Sequence, residues 1–340
     1  LESISLKLTG DQRIYQKAFS TVLPKDITKV EALKVLESIN NNTLGSSFIY
    51  IENKLWNNVK SDPSYQVTED IENCFGNFLI SEVLDDCTNV LFVGPGDGSE
   101  VSKFDACNIS SGFSSHSYVD ISTSMLLDLS INAEIEKDAI FYSGDFTSKD
   151  FITEWNSDNA STSSLTILKG GTSCNVSIDQ FCNFINHIDS SYFYFDFFIN
   201  NHKNNYKNNY INDNVKILAL YNYMRIFDIF GVDSSLTGVH SSTKDVLPEF
   251  ASLHSDNIDV HIDYSINSLV VSFHYNIPHD LKRSLLNKIP FMEIPSNIQI
   301  FSSRRYQPNY VLTKLIQTIP NLEVLNIFTS NSVYGVLCRK

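Results

Sequence analysis

Five short apolar runs punctuate the middle of the chain: VLFV (90–93), SYVDI (117–121), AIFYSG (139–144), LTILKG (165–170) and YFYFDFFI (192–199). Their length and their Val, Ile, Tyr and Phe content predict strands. Polar or amphipathic stretches of helical length lie between them, at 99–109, 123–135, 147–155 and 177–188, and another at 69–84 leads into the first strand. This alternation predicts a parallel sheet covered by helices on both faces. Ligands of such sheets sit beyond the carboxyl ends of the strands, where the strand order reverses.

The flanks follow other rhythms. Residues 11–40 carry apolar positions at helical spacing, broken at Pro24, with Asp26 or Thr28 as a cap. A second helical pattern ends at Pro63. Downstream, NNHKNNYKNNYIND is a polar low-complexity run expected to be a solvated connector. A helical pattern follows at 214–230, then HIDYSINSLVVSFHY (261–275), whose period-two alternation predicts a hairpin. IPFMEIPSNIQIF is expected to be extended. The chain closes with a helix at 308–319 and an antiparallel pair, EVLNIFTSNSVYGVLCR, joined by TSNS. The predicted fold is α/β: a Rossmann-like, doubly wound sheet with an antiparallel strand pair at its C-terminus. It is assigned to 66–200 and 305–340, and a second, discontinuous α+β unit to 1–65 and 201–304.

Composition narrows the function. With 42% apolar residues in 340, the chain can fill a sizeable core. A formal charge of −14 excludes a nucleic-acid partner, whose phosphates require a basic face. No stretch approaches the roughly 20 apolar residues that span a bilayer, so no membrane partner is expected. The six cysteines form no CxxC pair and have no histidine at ligand spacing. They read as reduced thiols without metal, and, with a start that lacks the features of a secretory leader, they predict a cytoplasmic protein.

The chemistry is concentrated at the ends of the five strands. Gly94, Gly96 and Gly98 follow the first strand and open a helix, so the backbone there can approach a ligand closely. Asp120, with Ile121 beside it, ends the second strand, where a carboxylate can accept both ribose hydroxyl protons. Asp145 ends the third, placed to bind an adenine amine while Phe146 covers the ring. Lys169 and the pair Gly170-Gly171 end the fourth. Val101 stands where a pyrophosphate loop has its third glycine, so a nucleoside without phosphates fits better, and S-adenosyl-L-methionine is the expected cofactor. The competing reading makes Asp120 and Asp145 helix N-caps, a duty Ser122 or Thr147 could share.

These segments resemble the histidine Nα-methyltransferase family of ergothioneine biosynthesis. The likeness runs through FIYIENKLWNNVKSDPSYQVTEDI, LKGGTSCNVSIDQFCNFI, FDFFINN with ILALYNYMRIFDIFGV, and IQIFSSRRYQPNYVLTKLI. It implies a class I methyltransferase sheet joined to a substrate domain. It also implies that Tyr50, Tyr65, Asn175 and Tyr221 face an amino-acid substrate, Asn175 gripping its α-amino or carboxylate group and Tyr221 binding its carboxylate, with Tyr50, Asn175 and Tyr221 placing the reacting amine. By the same resemblance Ser303 lies in the specificity motif, and Phe301 stands where the family has the glutamate that holds the imidazole. An apolar ring there points away from histidine, because a site built for a substrate N–H discriminates through its buried polar partner.

The resemblance thus predicts N-methylation of a small amino acid or related amine. Two alternatives stay open. The same pocket could cleave the cofactor's aminocarboxypropyl arm and release methylthioadenosine, or the fold could persist without chemistry. Phe92, where many methyltransferases have an acidic residue, motivates the last. Oligomeric state is not legible in the sequence.

Overall fold

The computed structural model describes residues 4–7, 13–18 and 67–79 and, with gaps inside each range, 86–199 and 213–340. In chain order the elements begin with β1 (Ile4–Lys7), β2 (Arg13–Ala18), α1 (Val67–Leu79), β3 (Asn89–Val93), β4 (Ser115–Asp120) and β5 (Ala139–Ser143). Then come α2 (Lys149–Asn159), β6 (Ser164–Leu168), α3 (Ile178–His187), β7 (Tyr192–Phe198), α4 (Asp213–Ile229), α5 (Ser234–Thr237) and α6 (Val246–His254). The chain finishes with β8 (Ile258–Tyr264), β9 (Ser268–Asn276), α7 (His279–Lys288), β10 (Asn297–Tyr306), α8 (Pro308–Thr318), β11 (Glu323–Thr329) and β12 (Val333–Arg339). These divide into two compact units, Leu1–Leu23 with Gln66–Asn201 and Arg304–Lys340, and Pro24–Tyr65 with His202–Ser303.

The first unit is built on a nine-stranded sheet in the order β1-β2-β5-β4-β3-β6-β7-β12-β11. From β2 through β7 the neighbours run parallel, whereas β12 pairs antiparallel with both β7 and β11. This is the doubly wound sheet with a C-terminal antiparallel pair expected from the apolar runs. Every residue of β3, β6 and β7 is buried, as a sheet covered on both faces requires. Phe92, Tyr118 and Phe141 lie in register across β3, β4 and β5, with ring centroids 5.5 and 5.1 Å apart. Such pairs add about 0.5–1.5 kcal/mol each beyond burial. Phe92 is therefore a core rung of this ladder.

Local chemistry sets the helices. Ser177 and Gln180 form a reciprocal capping box at the start of α3, and its buried side chains Phe181, Cys182, Phe184 and Ile185 recur at helical spacing. Pro308 opens α8, where its missing N–H costs nothing. Asp70 of α1 holds the turn between β11 and β12, accepting hydrogen bonds from Ser330, Asn331 and Ser332. Burial pushes its carboxyl up, but these bonds outweigh it and hold the group below its ordinary value.

The N-terminus departs from expectation. Residues 13–18 form a strand, not the start of a helix, and residues 1–23 fall in the first unit, not the second. β1 and β2 pair antiparallel, and β2 then adds in parallel to β5, so the hairpin covers what would otherwise be an open sheet edge. Most of the helices expected at 19–62, 99–109 and 123–135 lies outside the described residues.

The second unit carries a three-stranded sheet in the order β10-β9-β8 with α4 to α7. The expected hairpin is β8–β9. His254 is buried here, with Nδ1 2.9 Å from the Tyr275 hydroxyl and Nε2 3.1 Å from the Thr237 carbonyl. A carbonyl only accepts, so Nε2 carries the proton and Nδ1 accepts from Tyr275. Burial lowers the imidazole's pKa, so on acidification the unfolded chain takes up this proton before the folded one. Stability is therefore expected to fall as pH drops through about 6.5. In urea denaturation at pH 7.5 and 5.5, His254→Gln should lose that part of the slope.

Candidate functional site

The strand order reverses between β3 and β6, which lie side by side while the chain winds outward from them in opposite directions. Their carboxyl ends mark the switch point where ligands of such sheets bind. The glycine loop begins there. Gly94, Gly96 and Gly98 all have positive φ, at 62°, 60° and 80°. A Cβ on Gly94 would lie 2.8 Å from Thr172 Oγ1, so the loop after β6 packs directly on the loop after β3. A Cβ on Gly98 would lie 2.4 Å from Leu129 Cδ1. Among the described residues, a Cβ on Gly96 would meet nothing within 4 Å, which leaves that stretch of backbone open to approach from them.

The neighbouring strand ends are tied to this loop. The Gly94 N–H donates to Val119 O (2.8 Å) and the Gly144 N–H to Asp120 O (2.9 Å), so the last residues of β4 are held by loops on either side. Asp120 is buried and Ile121 is half-buried. Asp145 Oδ1 accepts from both the N–H and the hydroxyl of Thr147, at 2.8 Å each. Ser148, not Asp145, caps α2, through the Phe151 N–H at 3.2 Å. Phe146 is half-buried with its ring edge-on to Phe184, centroids 5.1 Å apart.

The end of β6 is organised by Asp196, the aspartate of FDFFINN, one of the segments that carry the family resemblance. Gly170 and Gly171 both have left-handed φ (74° and 73°), which turns their N–H groups to one side. Both donate to the carboxylate of Asp196 on β7, at 3.0 and 2.6 Å. Successive N–H groups in such a turn form an anion-binding concavity, here filled from within the chain. Ser173 completes the arrangement by donating to the Asp196 carbonyl. Burial pushes the Asp196 carboxyl up to about 6, against the lowering by the two glycine N–H groups and by Lys169. Lys169 was expected to meet the cofactor. Its ammonium is buried, 2.8 Å from Glu72 and 4.7 Å over the Phe75 ring. Gly170, also assigned to the cofactor, donates its N–H to Asp196. A further sequence signal for Asp196 is a lone acid inside YFYFDFF, since a carboxylate in a fully buried strand requires dedicated partners.

Asn175 ends the 3-10 turn Thr172–Asn175 and is half-buried. Its carbonyl accepts from Arg304 Nη1 at 3.5 Å, and the next carbonyl, Val176 O, accepts from the Tyr306 hydroxyl at 3.4 Å. Tyr221, Phe301 and Ser303 belong to the second unit. Tyr221 packs on Phe250 with centroids 5.4 Å apart, and Phe301 packs on Phe273 at 5.0 Å, a buried ring of the small sheet. Tyr50 and Tyr65 lie outside the described residues. Among the described residues no group of three or more His, Cys, Asp or Glu is placed to hold a metal, and five cysteines are buried and free. No described helix is long and apolar enough to cross a membrane.

No family model and no curated protein matches the chain. Solved structures do. An S-adenosylmethionine-dependent methyltransferase from Clostridium acetobutylicum is 11% identical, with 90% of this chain and 96% of that chain covered and a TM-score of 0.36. The PH0226 protein from Pyrococcus horikoshii is 11% identical, covering 84% and 97%, with a TM-score of 0.40. The amino pentose methyltransferase CalS10 from Micromonospora echinaspora is 7% identical, covering 84% and 96%, with a TM-score of 0.37. These likenesses are weak, and the fold rests on the strand order itself.

Proposed function

We propose that the chain is an S-adenosylmethionine-dependent N-methyltransferase whose acceptor is an amino acid or related small amine other than histidine. The observation that carries this reading is the open left-handed backbone at Gly96, at the switch point of the sheet, beside the buried Asp120 at the end of the neighbouring strand. A nucleoside fits that donor set, because the backbone can lie against its apolar and polar edges and a carboxylate can accept from two ribose hydroxyls. Gly94, Gly96 and Gly98 would hold the cofactor's amino-acid arm, Asp120 and Ile121 its ribose, and Asp145 and Phe146 its base. Once bound, the cofactor supplies an electrophilic methyl group on a sulfonium.

The chain's own part is placement. Methyl transfer needs a neutral nitrogen about 3 Å from the methyl carbon and in line with the departing sulfur, and such orientation supplies several kcal/mol of the barrier. Asn175 is assigned to that task, and the first unit to cofactor binding. The second unit, with Tyr221, Phe301 and Ser303, is assigned to the acceptor.

Incubation with methyl-labelled cofactor and a panel of amino acids tests the reading. Labelled N-methyl amino acid with release of S-adenosylhomocysteine is expected. Release of methylthioadenosine would replace methyl transfer by cleavage of the aminocarboxypropyl arm.

A further inference from the structure

We propose that Arg304 binds the carboxylate of the acceptor, which makes the substrate an acid-bearing amine and not a simple one. The inference rests on the methyltransferase reading above and deepens it. β7 continues one residue past its end, where Ile199 makes a parallel bridge to Tyr306. In parallel register this sets Arg304–Tyr306, the tail of β10, alongside the last residues of β7, at the carboxyl-terminal edge of the sheet where the glycine loop also lies. Its two other side chains are committed. The Arg305 guanidinium is buried 5.1 Å over the Phe198 ring, and the Tyr306 hydroxyl donates to Val176 O.

Arg304 differs from both cationic neighbours. Lys169 and Arg305 are buried, whereas Arg304 is half-exposed. Among the described residues its guanidinium makes one hydrogen bond, to Asn175 O at 3.5 Å, the outer limit for such a bond. A planar fork with five donors that spends one weakly on a carbonyl is suited to a carboxylate.

Its position favours the acceptor's carboxylate over the cofactor's. Thr172, at the near end of the turn, packs on Gly94, while Arg304 grips the far end at Asn175. Three residues of 3-10 helix separate them, about 6 Å. A cation set back from the sulfonium in this way avoids repelling it. Beside the acceptor, it also favours the neutral amine that must attack. In a chain of net charge −14, a carboxylate substrate needs such a local cation.

The test uses three matched pairs: phenylalanine and phenethylamine, tyrosine and tyramine, leucine and isoamylamine. Each is measured with the parent, Arg304→Ala and Arg304→Lys, alongside calorimetric binding of S-adenosylhomocysteine. The parent is expected to methylate acids in preference to their amines. Arg304→Ala should raise the KM for acids about 10- to 100-fold, leave that for amines unchanged and keep cofactor-product affinity. Arg304→Lys should recover part of the loss. Equal effects on acids and amines would mean that Arg304 only braces Asn175, and would overturn the proposal. Lost S-adenosylhomocysteine affinity with unchanged acid preference would assign the carboxylate to the cofactor, and a parent that prefers amines or methylates no acid would also overturn it. Failure of the parent to bind S-adenosylhomocysteine would instead remove the underlying reading.

Discussion

Asp120→Ala is expected to weaken S-adenosylhomocysteine binding by about 100- to 10,000-fold while the protein stays folded. The reason is the chemistry of a buried strand-end carboxylate. Two ribose hydroxyls donating to one charged group are worth about 1.5–3 kcal/mol each, and every 1.4 kcal/mol is tenfold in affinity. Asp120→Asn keeps the shape and one acceptor oxygen, so its loss should be nearer tenfold. Calorimetry on both variants, with circular dichroism to establish folding, measures the difference. Parent-like affinity in Asp120→Ala would remove Asp120 from the cofactor site.

Gly171→Ala should be the most destabilising single substitution at this rim, by about 2–5 kcal/mol. An L residue at φ 73° costs about 1–2 kcal/mol, and the new methyl would lie 2.4 and 2.6 Å from Cζ and Cε2 of Phe198. That ring is itself buried, with Arg305 against it, so overpacking adds about 1–3 kcal/mol. A loss of this size is a large part of the 5–15 kcal/mol that holds a typical domain folded. Gly96→Ala makes the informative contrast. Its φ is similarly left-handed, but its Cβ would meet nothing among the described residues, so only the backbone strain of about 1–2 kcal/mol is expected. Urea denaturation separates the two, and equal midpoints would contradict the packing of Phe198 on the Gly171 turn.

The two glycines also show how far the sequence can be read. The five strands were legible because a strand buried on both faces must be apolar throughout, and NVLFV and SLTIL contain little else. The glycine loop was legible because three glycines between a strand and a helix have few other uses. What the local pattern did not carry was pairing across distance. Lys169 looks available in LTILKGG until Glu72, 97 positions away, is placed against it. Gly170 looks like a ligand contact until Asp196 is brought beneath it from the next strand. Phe301 sits in a motif that suggests substrate, and the sequence carries no sign that its ring meets Phe273 in the small sheet. At 13–18, β2 was hidden because the helical spacing downstream of Pro24 was extended backwards over six residues, RIYQKA, that carry no clear alternation of their own.

The whole account depends on an adenosyl group lying at the reversal of strand order. A crystal grown with S-adenosylhomocysteine tests this most directly. The ligand is expected against the backbone of Gly94–Gly98, with its ribose hydroxyls within about 3 Å of the Asp120 carboxylate. A well-occupied ligand anywhere else, or a saturated crystal with none at this loop, would contradict it.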